Sequence, residues 1–185
     1  MPLSGKDCVV ITIERLPSAE MTPSLTAQLR ELCWSAFARF TEHDFDNAHG
    51  GDHVVVLDGQ TLLTHAAVVP RIIHVGEREL RAGYVEAVGT LPANQGQGLG
   101  SKAMKIIEVL IRERYEFGAL RTGRHTFYER LGWERWRGPS YVIGDGGRTR
   151  TPDEDNDIMV LRHGPTAEVD LSAPIACHDR SGDAW

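Results

Sequence analysis

Apolar and polar positions follow two different periods along this chain, and together they predict a set of elements. Cys8-Val9-Val10-Ile11-Thr12-Ile13 is a β-branched run and predicts a first strand. Leu25, Leu29, Leu32, Cys33, Ala36 and Phe37 then recur at helical spacing behind Thr22-Pro23, an N-cap residue followed by proline at the first helical position. Residues 41–52 are polar and end in Gly50-Gly51, which reads as a loop. Residues 53–57 and 60–69 flank Asp58-Gly59, a hairpin signal because that pair accepts the positive φ of a tight turn. Pro70 ends the second of these strands or opens a bulge. Residues 71–75 and 79–91 predict two more strands around a turn at Gly76. Leu99, Ala103, Ile106 and Leu110 stand at four-three-four spacing and predict a helix over 99–114. A short strand follows at 117–120, and a short helix at 125–131 is ended by Gly132. Residues 141–143 and 158–161 read as a closing pair of strands, and the last twenty residues as mostly irregular.

The predicted order is β-α-β-β-β-α-β-α-β-β. Strands precede the central strand–helix unit, so the class is α+β with a mixed, mostly antiparallel sheet flanked by helices. The length of 185 residues fits one domain, 1–185, with 164–185 as an irregular tail.

Composition narrows the classes of function. Hydrophobic residues make up 41% and charged residues 25%, as in an ordinary globular protein. The formal net charge of −6 argues against a nucleic-acid partner and suits a cationic small molecule. Cys8, Cys33 and Cys177 form no CxxC pair, so reduced thiols are expected and no zinc knuckle. The eight histidines give no metal-ligand spacing: His49 and His53 are four apart, but Gly50-Gly51 lies between them. Residues 1–7 lack a basic stretch followed by an apolar one, and no run reaches the ~20 apolar residues that span a bilayer. The expectations are therefore a cytoplasmic chain, no metal and no membrane contact.

The chemistry begins at Gln95-Gly96-Gln97-Gly98-Leu99-Gly100. Glycine lets backbone approach a ligand, and the helix that follows offers free N–H groups to an anion, for which a diphosphate is the natural occupant. The spacing is not the dinucleotide fingerprint GxGxxG, because the third glycine comes one residue early, and it is not GxxxxGK[ST]. A plain glycine-rich turn remains the alternative on glycine content alone.

The loop resembles the signature (Gln/Arg)-x-x-Gly-x-(Gly/Ala) of the GNAT acetyltransferases, filled by Gln95, Gly98 and Gly100. Two further strings look like that family. Tyr84-Val85-Glu86-Ala87-Val88 stands where GNAT enzymes splay a central strand from its neighbour and pair its free backbone with pantetheine. His125-Thr126-Phe127-Tyr128-Glu129-Arg130-Leu131-Gly132-Trp133 resembles the closing Phe-Tyr-x-x-x-Gly-(Phe/Trp) motif. Over nearly the whole chain, the strings Phe40-Thr41-Glu42, Gly83-Tyr84-Val85-Glu86, Thr149-Arg150-Thr151-Pro152-Asp153 and Gly182-Asp183-Ala184-Trp185 look like aminoglycoside 2′-N-acetyltransferases, antibiotic-resistance enzymes.

That resemblance implies a GNAT fold with a splayed central strand pair, acetyl-CoA as cosubstrate, an aminoglycoside acceptor and a homodimer. It implies that Glu86 acts as base, directly or through water, and that Tyr128 protonates the departing thiolate. Val88, Gly89 and Thr90 would border the acetyl and pantetheine groups, and Gln95, Gly96, Gln97, Gly98, Leu99 and Gly100 would hold the pyrophosphate. Glu86, Ala87, Asp153, Glu154, Asp183 and Trp185 would face the acceptor. The roles are chemically apt: an alkylammonium must lose a proton before attacking a thioester, and N–H groups near Val88 can polarise its carbonyl. The acidic stretch 153–157 is by itself an ordinary solvated turn, and His125 is a minor alternative for proton transfer. Two departures bear on the acceptor. Arg39 stands where the family has an aspartate, and Arg121-Thr122-Gly123-Arg124 where it has a small hydroxyl residue. They keep a second acceptor class open: another polyamine, a peptide or a cell-wall amine. A CoA-binding sensor without turnover is the reading of another class, and the pairing of Glu86 with Tyr128 counts against it.

Overall fold

The computed structural model describes residues 11–185. Strand β1 (Ile11–Pro17) pairs antiparallel with β2 (Asp52–Asp58), and β2 pairs with β3 (Thr61–Val75). The β2–β3 turn is Gly59-Gln60, since Asp58 already pairs with Thr61, and Gly59 supplies the positive φ of +59°. β3 then pairs along its length with β4 (Arg78–Thr90). The first strand predicted at 8–13 lies partly outside the described residues, as does Cys8.

β3 is one strand of 15 residues, not two, and Pro70 sits inside it. On the edge away from β4, β3 pairs with β2 up to Val68 and with β10 (Ile175–His178) from Ile73. Pro70 falls in the gap between those partners, where its missing N–H costs no ladder bond.

Between β1 and β2 the chain forms α1 (Pro23–Ala36) and α2 (Glu42–Asn47). Thr22 caps α1, its Oγ1 accepting from the Leu25 N–H at 3.2 Å. α2 replaces the loop expected at 41–52. Its start is a capping box, with Asp44 N–H donating to Thr41 Oγ1 at 3.2 Å and Thr41 N–H to Asp44 Oδ2 at 2.8 Å. α3 (Leu99–Arg114) has the predicted bounds and buries Leu99, Ala103, Met104, Ile107, Leu110 and Ile111. β5 (Phe117–Arg121) and α4 (His125–Glu129) follow.

The C-terminal third differs from expectation. β7 (Ser140–Gly144) pairs with β8 (Gly147–Arg150), whereas β9 (Ile158–Arg162) pairs with β5 and with the short β6 (Glu134–Arg135). The two strands predicted as a closing pair are therefore far apart, because the glycines at 144, 146 and 147 turn β7 back on β8. The stretch 164–185 is not irregular throughout, since β10 fills the slot between β3 and β7. Four residues after Pro174 are too short a run to show a period. The sheet order is β6-β9-β5-β4-β3-β10-β7-β8, with β1 and β2 beside the first half of β3. Among the described residues only the β4–β5 and β7–β10 pairings are parallel. The β4–β5 contact spans Ala82–Tyr84 against Phe117–Ala119 and stops there, which is the expected splay. No helix among the described residues is long and apolar enough to cross a membrane.

Two charge-capable groups lie in this interior. His53 on β2 and His65 on β3 are fully buried, with His53 Nδ1 2.8 Å from His65 Nε2. Burial pushes His53 down to about 4, with His49 adding to the shift and Asp52 opposing it. Burial likewise pushes His65 down to about 3, helped by His53 and opposed by the Ala87 carbonyl. Both are neutral in the folded chain at pH 7, while the unfolded chain takes up protons near 6.5. Their contribution is thus complete above about pH 6.5 and is lost as pH falls toward 4. Urea unfolding at pH 5 should give a stability lower than at pH 7.5 by on the order of 2–4 kcal/mol. The dependence should be shallower in His65→Asn.

Candidate active site

A cleft of about 730 Å³ opens where β4 and β5 part. One end is the loop before α3. Gly98 is the N-cap of α3 at φ +76°, and Gly96 has the same φ of +76°. No atom lies within 4 Å of where a Cβ would stand on either residue, so the loop is an open cradle. The first N–H groups of a helix have no intrahelical partners, and those of α3 open into this cradle. That fits a diphosphate. Gln95 ties the loop to the strand, its Nε2 donating to the Thr90 carbonyl at 3.1 Å. Gln95, Gly96, Gly98, Leu99 and Gly100 line the cleft; Gln97 is exposed and does not.

The middle is the second half of β4. Ala67 pairs with Glu86 and His65 with Gly89, so β4 has two residues, Ala87 and Val88, opposite the single Ala66. This is a β-bulge, and Ala87 takes φ +49°, unusual outside glycine. Ala87, Val88, Gly89 and Thr90 all line the cleft. Opposite them Tyr128 on α4 is buried, its ring set edge-on to Phe127 at 4.9 Å and to Trp133 at 6.1 Å. Burial raises the Tyr128 phenol well above its ordinary value, with Arg124 opposing, so it holds its proton across the working range. His125 faces Asp157 at 3.2 Å and is not part of the cleft.

The other end is charged, and its carboxylates are already engaged. Glu86 meets Arg180, with Nη1 2.7 Å from Oε1 and the two side chains 16% and 17% exposed. The contact is an ion pair without good hydrogen-bond direction, since Glu86 Oε1 has no aligned donor. Burial raises the Glu86 carboxyl and Arg180 opposes the rise. Arg180 is fixed in turn by its Nε–H on the Asp183 carbonyl at 2.7 Å. Arg121 bridges Asp183, at 3.2 Å, and Glu154. Trp185 is buried against the core and borders the cleft with Asp183.

Asp153 and Glu154 do not line the cleft. Asp153 is exposed, and Glu154 reaches the site only by holding Arg121. The rest of the acidic stretch is spoken for: Asp155 accepts from Ser140 and pairs with Arg150, and Asp157 faces His125. Sequence reasoning missed Arg180 and Asp44, both of which line the cleft. Thr41-x-x-Asp44 is a capping-box pattern and could have placed Asp44 on a helix; nothing local marks Arg180. Among the described residues no cluster of three or more metal-ligating side chains exists.

Residues 20–136 match the family described as the acetyltransferase (GNAT) domain. An aminoglycoside 2′-N-acetyltransferase of Mycolicibacterium fortuitum is 40% identical over 151 residues, which are 79% of this chain and 77% of that protein. Among solved structures, a GNAT family acetyltransferase from Brucella melitensis in complex with acetyl-CoA superposes with a TM-score of 0.62 at 19% identity, over 91% of this chain and 96% of that one. A GNAT family N-acetyltransferase from Escherichia coli in complex with CoA gives 0.62 at 17% identity, over 94% and 93%. Other similar structures are longer, and the chain spans 33% of Eis1 from Mycobacterium abscessus (TM-score 0.59, 16% identity, 71% of this chain). At these identities the structures speak for the fold.

Removing Arg180 deletes the charge that opposes the burial of Glu86. In Arg180→Ala the Glu86 carboxyl should titrate at higher pH than in the parent chain, read from carboxyl ¹³C shifts of glutamate-labelled protein. An unchanged midpoint would mean that the ion pair is not formed in solution.

Proposed function

The chain belongs to the GNAT acetyltransferase family, and on that premise we propose that it moves the acetyl group of acetyl-CoA to the 2′-amino group of an aminoglycoside. The observation that carries this is the continuity of the cleft. One space joins the glycine cradle at α3, the bulged strand, the Tyr128 phenol and Glu86. The likeness to the M. fortuitum enzyme supports the acceptor.

Acetyl-CoA supplies the acetyl group as a thioester, and the residues at 95–100 are those that would hold its pyrophosphate. Glu86 takes a proton from the acceptor ammonium, directly or through water, freeing the nitrogen lone pair for attack on the carbonyl carbon. The backbone N–H groups near Val88 that point away from β3, on the side where β5 has parted, are the donors available to a developing oxyanion. As the carbon–sulfur bond breaks, Tyr128 supplies the proton that leaves CoA as a thiol. Its raised pKa suits this role, because the phenol stays protonated until charge develops on sulfur. Ala87, Asp183 and Trp185 border the acceptor, with Glu154 acting through Arg121.

A second acceptor class is favoured by one observation. Arg121 occupies two of the carboxylates that would otherwise attract amines, and Arg39 stands exposed at the same mouth. A mouth compensated in this way would also admit another polyamine, a peptide or a cell-wall amine.

Purified protein with acetyl-CoA and a panel of aminoglycosides should release thiol only with drugs that carry a free 2′-amine. No turnover with any of them would refute the acceptor. Glu86→Gln and Tyr128→Phe should each lower kcat by about 10²-fold, the scale of a lost proton-transfer group. Arg121→Ser should free Asp183 and lower the KM for the aminoglycoside several-fold, with the KM for acetyl-CoA unmoved. A raised acceptor KM would instead make Arg121 a substrate-binding residue.

A further inference from the structure

A hydrogen-bonded chain crosses the sheet beneath the cleft. Ser18, just after β1, is 2.8 Å from His53 Nε2, and its Oγ accepts from the Gly50 N–H at 2.9 Å and the Gly51 N–H at 3.3 Å. His53 Nδ1 is 2.8 Å from His65 Nε2, and His65 Nδ1 is 2.8 Å from the carbonyl of Ala87. The strand register makes the histidines diagonal neighbours, since His53 pairs with Ala67 and His65 with Val55. The chain thus runs from Ser18 through β2 and β3 to the bulge of β4.

The direction of the bonds through the two rings is forced. A carbonyl only accepts, so His65 Nδ1 carries hydrogen and His65 Nε2 of the neutral ring must accept. His53 Nδ1 therefore donates and His53 Nε2 accepts, and it is the nearer acceptor for the single hydroxyl proton of Ser18, at 2.8 Å against 3.1 Å for the Gly51 carbonyl. The two glycine N–H groups fill the remaining capacity of Ser18. Two buried imidazoles with all four nitrogens matched make a costly arrangement for a core that could have been apolar. Among the described residues, its end point is the one non-glycine position of the sheet held at positive φ. Ala87 and Val88 oppose Ala66 alone, so the ladder does not fix their carbonyls in the regular way.

We propose that the Ser18–His53–His65 chain is a positioning device that holds the Ala87 carbonyl, and through it the bulge that aims Glu86 and the N–H groups near Val88 into the cleft. None of the three side chains lines the cleft, so they act through the strand and touch no reacting atom. The catalytic consequence rests on the acetyltransferase reading above; the structural one does not.

Two substitutions at His65 separate positioning from filling. Asn places a donor where Nδ1 stands and so keeps the bond to Ala87 while leaving His53 unmatched. Gln places an acceptor where Nε2 stands and so keeps His53 matched while releasing Ala87. Each loses one bond of the chain, so both should unfold at similar urea concentrations. His65→Gln should nevertheless lower kcat at least tenfold more than His65→Asn, with backbone amide shifts of residues 86–89 displaced only in the Gln variant. Parent protein that turns over no acceptor would refute the proposed function and leave the amide shifts to decide this one. Equal amide shifts in the two variants, or kcat values that simply track their stability, would overturn the positioning role. If neither folds, Ser18→Ala tests the surface end of the same chain, and unmoved 86–89 amides there would overturn it as well.

Discussion

Strand β4 carries one residue more than β3 across the interval from Glu86 to Gly89, and the cleft is a consequence of that extra residue. Up to Tyr84 the strand is an ordinary interior member of the sheet, paired with β3 on one side and β5 on the other. Beyond it the bulge bends the backbone, contact with β5 ends, and the strand's N–H and C=O groups on that side lose their partners. In a closed sheet such groups would be a fault. Here they face a cavity whose far wall is α4, with the N-terminus of α3 at its end. The fold thus puts a row of donors, an anion cradle and a buried phenol around one space, while the rest of the sheet keeps regular pairing and supplies the rigidity.

The bulge also decides which way neighbouring side chains point. One extra residue reverses the alternation of a strand. Tyr84 and Glu86 share one face ahead of it and meet the same arginine: the Arg180 guanidinium carbon is 5.5 Å from the Tyr84 ring centre, and its Nη1 pairs with Glu86. The tail from β10 to Trp185 is therefore packed by the same residues that begin the acceptor end, and Cys177 donates through its thiol to the Ala184 carbonyl at 3.2 Å. Tail and strand form one wall.

How far the sequence announced this depends on the range of each signal. α3 was legible to the residue, because its apolar repeat runs sixteen positions and begins at a glycine N-cap. The Thr22-Pro23 start of α1 and the β2–β3 hairpin were legible for the same reason: each is fixed by neighbours in the chain. The glycine loop, Glu86 and Tyr128 were singled out by motif and resemblance, and the cleft does bring those residues together. One failure was local: Asp145-Gly146 is the same hairpin signal as Asp58-Gly59, and the turn there pairs Tyr141 with Arg150. The others concern partners distant in sequence, and a four-residue strand such as β10 has no period to detect. The resemblance put Asp153 and Glu154 at the acceptor, and nothing near them shows that Glu154 is held by Arg121, far back in the chain. The Ser18–His53–His65 chain was invisible too, since histidine spacing was weighed for metals and the link runs across three strands.

The engaged carboxylates alter what recognition of a cation can mean at this site. A polyamine reaching Glu86 and Asp183 does not find bare negative charge; it replaces Arg180 or Arg121. Exchange of one cation for another at fixed carboxylates changes little Coulomb energy at each pair, and the exposed Arg121–Asp183 pair is worth at most about 1 kcal/mol. The gain must come from number and spacing: a ligand whose several ammonium groups match the carboxylates releases more than one arginine to water for a single loss of ligand freedom. A monoamine can make only one such exchange and gains almost nothing. On the proposed reading, selectivity for a polycation therefore arises from internal competition, and the arginines that looked unfavourable for an aminoglycoside are what would make the site discriminate among amines.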